Sequence, residues 1–430
     1  MKEILNNICF SYDGIDFNVP INAPWEIYTG LVRSASEYDE NIDRSDIDPY
    51  FILHLTERCN LKCKYCFEGE KGQRDISKET INYWIEYIKS KKYKKFSIRF
   101  FGGEPSLRVD IIEYIINTIN DNFPVAKGYD ISYNIFTNAV NISDKLINLI
   151  EQENIGCFIS MDACEKMHNY NRLFPNGKGS YDVVLKSAKR IQRLTKMRVI
   201  IRAVFDTNIN NISLIEMVDE CCRNGFEMLS IEFPWVSHKS ELALNMEKEE
   251  HIINLIHEYA KECINRIKHD DYSLLSLYEI FKHLSKVLFN KPMLYLDACA
   301  AGKSAMAIDV TGDIYPCHSF VGNQNYILGN VKDGITNMKL KKEFEKYNCE
   351  TIPQCKLCAL RYYCTKRCFA DSLWFNGDIL EMNKYRCKLE KEFFEAALYI
   401  YFNIISYSLF CLYFFMFISN ISFYFIFIKL

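Results

Sequence analysis

From Tyr50 to Trp235, short apolar runs alternate with longer stretches in which apolar residues recur every three or four positions. The short runs are Tyr50–Leu55, Phe96–Phe101, Ile131–Thr137, Gly156–Ser160, Arg198–Val204 and Met228–Phe233. Each has the length of a buried strand and is rich in aromatic or β-branched residues. The stretches between them have helical period. Ser77 stands where a cap is needed, ahead of Ile81, Trp84, Ile85 and Ile88 on one face. Asn211 and Ser213 likewise precede a stripe of Ile215, Val218 and Cys222. Six such units predict an α/β fold, a parallel sheet with helices outside, and a partial (β/α)6 barrel accommodates them. Functional side chains of such barrels gather at the C-terminal strand ends.

The flanks differ in kind. Residues 1–49 contain Phe10-Ser-Tyr-Asp-Gly-Ile, which predicts a hairpin because Asp13-Gly14 suits positive φ. The barrel unit is assigned to 50–240. Residues 241–298 form a helical bridge, with apolar faces supplied by Ile252, Ile253, Leu255, Ile256, Tyr259 and Ile264. A cysteine-rich unit occupies 299–397. The tail, 398–430, holds a single charged residue, Lys429. Because about 20 apolar residues span a bilayer, Ile404–Ile428 is long enough to do so. Lys384, Arg386, Lys388 and Lys391 precede this run and only Lys429 follows it, which predicts a tether to the cytoplasmic face of a membrane. A buried terminal helix and an extension from a disrupted reading frame are the competing readings.

A formal charge of −3 gives no general attraction to nucleic acid. The basic run Lys89–Lys95 closes a predicted helix, where cations suit the dipole. The N-terminus shows no secretory signal, which predicts a cytoplasmic chain. In a reducing compartment, eighteen cysteines argue for metal ligation rather than a disulfide framework. Ten of them fall into two groups. The first is Cys59-Asn-Leu-Lys-Cys63-Lys-Tyr-Cys66, directly after the first strand. The second is Cys299, Cys317, Cys355, Cys358, Cys364, Cys368 and Cys387. Three thiols on one short loop leave one iron of a cluster without a protein ligand. Zinc is the competing reading, although zinc sites want a fourth donor. His54 could supply one, but it lies within the preceding strand. The second strand ends in Gly102-Gly103-Glu104-Pro105, where glycine allows close backbone approach to a ligand and a carbonyl or carboxylate can accept from an ammonium.

The spacing Cys-x3-Cys-x2-Cys, with Tyr65 before the last cysteine, resembles the cluster loop of radical S-adenosylmethionine (SAM) enzymes, and Gly102–Pro105 resembles that family's SAM motif. The resemblance implies a TIM-like partial barrel in which Cys59, Cys63 and Cys66 hold a [4Fe-4S] cluster whose open iron chelates SAM. It further implies that Gly102, Gly103, Glu104 and Pro105 hold the SAM amino group. Ser160 and Arg172 would meet its ribose and carboxylate, and Asn138 closes the third strand within the same site. Arginine suits a carboxylate because its fork can engage both oxygens. Asp162, Arg202 and Glu232 also end strands, with turn chemistry or structural pairing an equal reading.

The distal pattern, Cys299-x12-Gly312-x4-Cys317 followed by Cys355-x2-Cys358-x5-Cys364-x3-Cys368 and Cys387, resembles the small SPASM domain. That resemblance implies two auxiliary [4Fe-4S] clusters, so three in all. Cys355, Cys358, Cys364 and Cys387 would complete one; Cys299, Cys317 and Cys368 would bind the other, with Cys349 the internal rival for its fourth place. Finer sequence, such as Gly-Asp-Ile-Tyr-Pro-Cys317-His-Ser-Phe-Val-Gly, is similar to maturases of ribosomally made, cysteine-rich peptides. The implied reaction is reductive SAM cleavage to a 5′-deoxyadenosyl radical that modifies a precursor peptide, with thioether formation expected. A ferredoxin- or flavodoxin-like protein would donate the electron. Anaerobic sulfatase maturation is the enzyme alternative, but those relatives carry an acidic residue where this chain has His318. A non-catalytic iron–sulfur or zinc protein is the alternative from another class.

Overall fold

The computed structural model describes the backbone of 7–12 and 15–20, and residues 48–209, 212–288, 299–358, 360–361, 363–364 and 367–404. Strands β1 (Asn7–Tyr12) and β2 (Ile15–Pro20) pair antiparallel with Tyr12 opposite Ile15; Asp13-Gly14, on which the hairpin reading falls, lie outside the described residues. The barrel strands are β3 (Tyr50–His54), β5 (Lys95–Phe101), β6 (Asp130–Thr137), β7 (Gly156–Ser160), β9 (Val199–Val204) and β10 (Met228–Glu232). Two short strands, β4 (Lys62–Cys63) and β8 (Arg172–Leu173), form a separate antiparallel pair. The barrel sheet runs β10-β9-β7-β6-β5-β3, every pair parallel and every neighbour sequential. The sheet then continues into the cysteine-rich unit. There β11 (Ala305–Ile308) pairs parallel with β3, and β12 (Asp313–Tyr315), β13 (Gly329–Asn330) and β14 (Gly334–Ile335) follow antiparallel.

Strand alternation divides the side chains between two environments. Phe51, Leu53, Ile98, Phe100, Ile135, Ile159 and Ile201 belong to the main core, together with Trp84, Ile85, Ile112 and Ile116 of the covering helices. The intervening positions, among them Tyr50, His54, Arg99, Phe101, Phe136, Phe158 and Arg202, point to the inner side. Local capping is as predicted at Ser77, whose Oγ accepts from the Thr80 amide at 3.0 Å. Ser213 forms a capping box with Glu216.

In the 241–298 segment the described helices are Met246–Ile267 and Tyr278–Leu288. Both pack against a third, Lys384–Ile404, through polar ties. Lys282 Nζ lies 2.9 Å from Glu390 in a buried pair, His257 Nε2 3.1 Å from Glu392, and Lys388 Nζ 2.9 Å from Glu249. The third helix runs unbroken through position 398, where composition alone placed the start of the apolar tail. Of the proposed membrane segment Ile404–Ile428, all but Ile404 lies outside the described residues. Among the described residues no helix is long and apolar enough to cross a membrane.

Candidate active site

The first cysteine group occupies the loop at the C-terminal end of β3. Cys63 lies in β4 opposite Arg172 of β8, and the Cys66 amide donates to the Cys63 carbonyl at 3.2 Å. All three thiols are partly exposed. Burial pushes Cys59 up to about 12, with the Glu104 carboxylate adding to it. Burial also pushes Cys63 up to about 11. Thiols held this way ionise only when something replaces the lost solvation, as a metal centre does. Thr56 Oγ1 and the Arg58 guanidinium both bind Asp75, at 2.5 and 2.6 Å, which fixes the chain entering the loop. Inside the loop, Tyr65 Oη donates to the wholly buried Asp162 at 2.5 Å.

Gly102–Pro105 sits beneath this loop. The Gly103 amide donates to the Thr56 carbonyl and the Glu104 amide to the Arg58 carbonyl, each at 2.8 Å. A Cβ at Gly102, whose φ is +124°, would stand 2.5 Å from the Thr56 oxygen; one at Gly103 would stand 2.3 Å from that of Arg58. The glycines therefore let two stretches of this chain meet. The Glu104 carboxylate is also occupied: it accepts from the Ser106 amide at 3.0 Å, the Asn138 amide at 2.7 Å and the Thr137 hydroxyl.

Asn138, directly after β6, reaches the loop, with Nδ2 2.8 Å from Asn60 Oδ1 and 3.6 Å from Cys59 Sγ. Ser160 ends β7, level with Arg202 of β9. Arg172 is buried beneath the loop, with one terminal nitrogen 3.2 Å from Asp162 Oδ1. Its Nε is buried without a hydrogen-bond partner, so part of its fork is committed internally and part is not.

The seven distal cysteines separate into two groups. Cys299 and Cys317 both disfavour ionisation of Cys368, and Cys299 that of Cys317. Cys364, Cys355 and Cys358 act in the same way on Cys387. Burial pushes Cys317 and Cys355 up to about 12. Cys349 is fully buried beside Cys355, in the neighbourhood of the four-cysteine group. Among the described residues the cysteines form no disulfides, and no three His, Cys, Asp or Glu side chains enclose a single ion.

The two ends of the site meet on the inner side of the sheet. Phe67, next to Cys66, packs against His318, next to Cys317, with ring centroids 5.8 Å apart. Trp235 lies 5.4 Å from Phe67 and 5.7 Å from His318, and Phe101 lies 4.7 Å from His318. Burial holds His318 down at about 3, and its Nδ1 has no hydrogen-bond partner. Arg202 and Glu232 face each other at 3.5 Å, and Arg99 stacks 3.6 Å above the ring of Tyr50. Tyr50 in turn feels the charges of Cys299, Cys317 and Cys368.

Comparison with known proteins gives this arrangement its family. The radical SAM superfamily matches residues 53–221, and the SPASM iron–sulfur cluster-binding domain matches 299–365. An uncharacterized protein of Methanocaldococcus jannaschii is 30% identical over 66% of this chain and 89% of its own length. The chain belongs to the radical SAM superfamily. Radical SAM cyclopropyl synthase TigE of Paramaledivibacter caminithermalis is 22% identical over 91% of this chain and 84% of its own. A cysteine-type anaerobic sulfatase-maturating enzyme of Clostridium novyi is 23% identical over 74% and 86%. Among solved structures, native anSMEcpe with bound AdoMet and Cp18Cys peptide superposes with a TM-score of 0.66. It is 21% identical, covering 83% of this chain and 98% of that one, which supports the fold.

Within this radical SAM, SPASM-domain enzyme, several contributors to the site carry no motif. Asp162 joins Tyr65, Arg172 and the Val204 amide at one carboxylate, across 97, 10 and 42 residues of sequence. Asp75 gathers Thr56, Arg58 and Arg108. Lys71 donates to Cys66 Sγ at 3.1 Å. In the sequence Asp162 was legible only as a strand end, and Lys71 carries only an acid three positions before it in a glycine-flanked turn.

Proposed function

We propose that the chain is a peptide maturase that modifies a cysteine-rich precursor peptide with radical SAM chemistry, forming thioether links. The observation that carries this reading is the Phe67–His318 contact: residues adjoining Cys66 and Cys317 pack together on the inner side of the sheet. A substrate side chain placed there would lie between the loop cluster and the three-cysteine group.

Cys59, Cys63 and Cys66 would hold the SAM-bound [4Fe-4S] cluster. Cys355, Cys358, Cys364 and Cys387 would hold a second, and Cys299, Cys317 and Cys368 a third with one iron open to a substrate thiolate. The donor type fits, since thiolate is the form that ligates iron and neighbouring thiols that disfavour one another's ionisation gain from ligation. Bound there, clusters and SAM supply one-electron cleavage of SAM and hydrogen-atom abstraction; the protein supplies orientation and shielding. The Gly102–Pro105 backbone would receive the SAM ammonium, while Asn138, Ser160 and the uncommitted part of Arg172 line the rest of its site. Phe67, Phe101, Trp235 and His318, packed together, would shield this inner side from water. The anSMEcpe structure, with its bound AdoMet and Cp18Cys peptide, supports a peptide substrate for this architecture. A ferredoxin- or flavodoxin-like donor completes the cycle.

The reconstituted enzyme, given dithionite and SAM, is expected to release 5′-deoxyadenosine. Joint replacement of Cys59, Cys63 and Cys66 by alanine should abolish this while distal iron is retained. A co-expressed cysteine-rich precursor should lose two hydrogens per bond formed. A carbonyl-reactive product would instead establish formylglycine formation, and intact 5′-deoxyadenosine release by the triple variant would overturn the assignment.

A further inference from the structure

Lys71 occupies a position that the roles above do not use. Its Nζ lies 3.1 Å from Cys66 Sγ and 2.5 Å from Glu68 Oε2. Both side chains are mostly buried, at 20% and 17% exposure. The other Glu68 oxygen has no hydrogen-bond partner and faces His54 Nδ1 at 3.8 Å. His54 is buried against Phe101, and burial holds it below the ordinary imidazole range. A neutral imidazole, a carboxylate and an ammonium thus stand in a row from the inner side of the sheet to the cluster loop, and the row ends on one ligand sulfur. The ammonium also favours the ionised forms of Cys59 and Cys63, so its field covers the whole loop.

We infer that the Glu68–Lys71 pair sets the reduction potential of the loop cluster, Lys71 raising it through an N–H···S bond to Cys66 and Glu68 opposing it. The inference rests on the reading that this loop holds an iron–sulfur cluster. A cluster gains one negative charge on reduction, and hydrogen bonds and charge at its sulfurs are the protein's main levers on its potential. An ammonium at a ligand sulfur favours the reduced form. A carboxylate beside that ammonium offsets part of its field and holds it in place. Removing Lys71 would leave Glu68 uncompensated beside the cluster, whereas removing the Glu68 charge would leave the full ammonium. The two changes therefore have opposite signs. A pair that only closed the Gly69–Gly72 turn would not produce that opposition.

The experiment uses the full chain, reconstituted anaerobically, with redox titration followed by electron paramagnetic resonance. The signal that changes on SAM addition identifies the loop cluster. Lys71→Gln is expected to shift its reduction equilibrium about tenfold toward the oxidised form, which is about 59 mV for a one-electron couple. Glu68→Gln is expected to shift it several-fold the other way. The double variant should fall between them, and Lys71→Arg should stay near wild type. Where Lys71→Gln loses loop iron, Glu68→Gln and Lys71→Arg decide. Shifts of the same sign, or shifts under twofold, would overturn the tuning role while leaving the cluster assignment intact. A wild-type protein without a SAM-responsive signal would overturn both.

Discussion

Asp162 is the clearest test of what holds the cluster loop in place. It is completely buried and serves three donors: Tyr65 Oη at 2.5 Å, Arg172 at 3.2 Å and the Val204 amide at 2.8 Å. Asp162→Ala would strand the Arg172 guanidinium, which is itself only 6% exposed. Breaking a buried ion pair from one side costs about 3–5 kcal/mol. Asp162→Asn keeps an oxygen for Arg172 and Val204 and turns its amide toward the Tyr65 hydroxyl. Its loss should then be nearer the worth of one charged hydrogen bond, about 1.5–3 kcal/mol. For a domain of this size each kcal/mol moves the midpoint by about 2–4 °C, so the alanine variant should melt roughly 6–20 °C lower. Thermal unfolding of the cluster-free full chain, followed by near-ultraviolet circular dichroism, measures this. Because Arg172→Met removes the stranded charge, the Asp162→Ala/Arg172→Met pair should be less destabilised than the sum of its members, by about 2 kcal/mol. An alanine variant within about 1 kcal/mol of wild type, or strict additivity of the pair, would refute the reasoning.

Three further outcomes follow from particular contacts. Gly103→Ala places a methyl group 2.3 Å from the Arg58 carbonyl, so the loop must move; about 1–3 kcal/mol of destabilisation and weaker SAM binding are expected, read by melting and titration. Cys349→Ala should leave iron per chain unchanged, because Cys349 adjoins Cys355 of the group proposed to hold a cluster with four cysteines of its own; loss of a cluster would identify it as a ligand. Burial, assisted by Glu392, raises Glu395 from 4.5 to about 7. A carboxyl with a raised folded value contributes stability below its unfolded value and loses it as pH rises through the folded one. Wild type should therefore lose up to roughly 3 kcal/mol relative to Glu395→Gln between pH 4.5 and 7, visible as diverging urea midpoints.

The strands were legible because each is a short apolar run, and five of the six expected runs differ from the observed strands only at their ends, while Gly156–Ser160 matches at both. The cysteine groups were legible because spacing within a loop is local information. What the motifs did not reveal is which side chains answer them. Glu104 reads as a ligand-facing acid, yet its oxygens are taken by Ser106, Thr137 and Asn138, the latter two more than thirty residues away. Arg172 reads as a carboxylate fork, yet Asp162 holds part of it. Cys349 fits no spacing, and only folding shows which cysteines surround it. Composition set the start of the tail at 398. A rise in apolar content does not interrupt backbone hydrogen bonding, so Lys384–Ile404 continues as one helix through it.

The continuation of the barrel sheet into the cysteine-rich unit has a consequence for how the chain can be made or divided. Tyr50 pairs on one side with Ser97 and on the other with Ala305, some 255 residues later in the chain. Until that later segment is synthesised, β3 carries an open row of amides and carbonyls beside a strongly apolar sheet. Exposed edges of this kind recruit strands from other molecules. A fragment ending before residue 299 is thus a template for intermolecular pairing as well as a protein lacking its distal cysteines. During translation the same edge would stay open longest, at the stage when a chaperone is most needed to cover it.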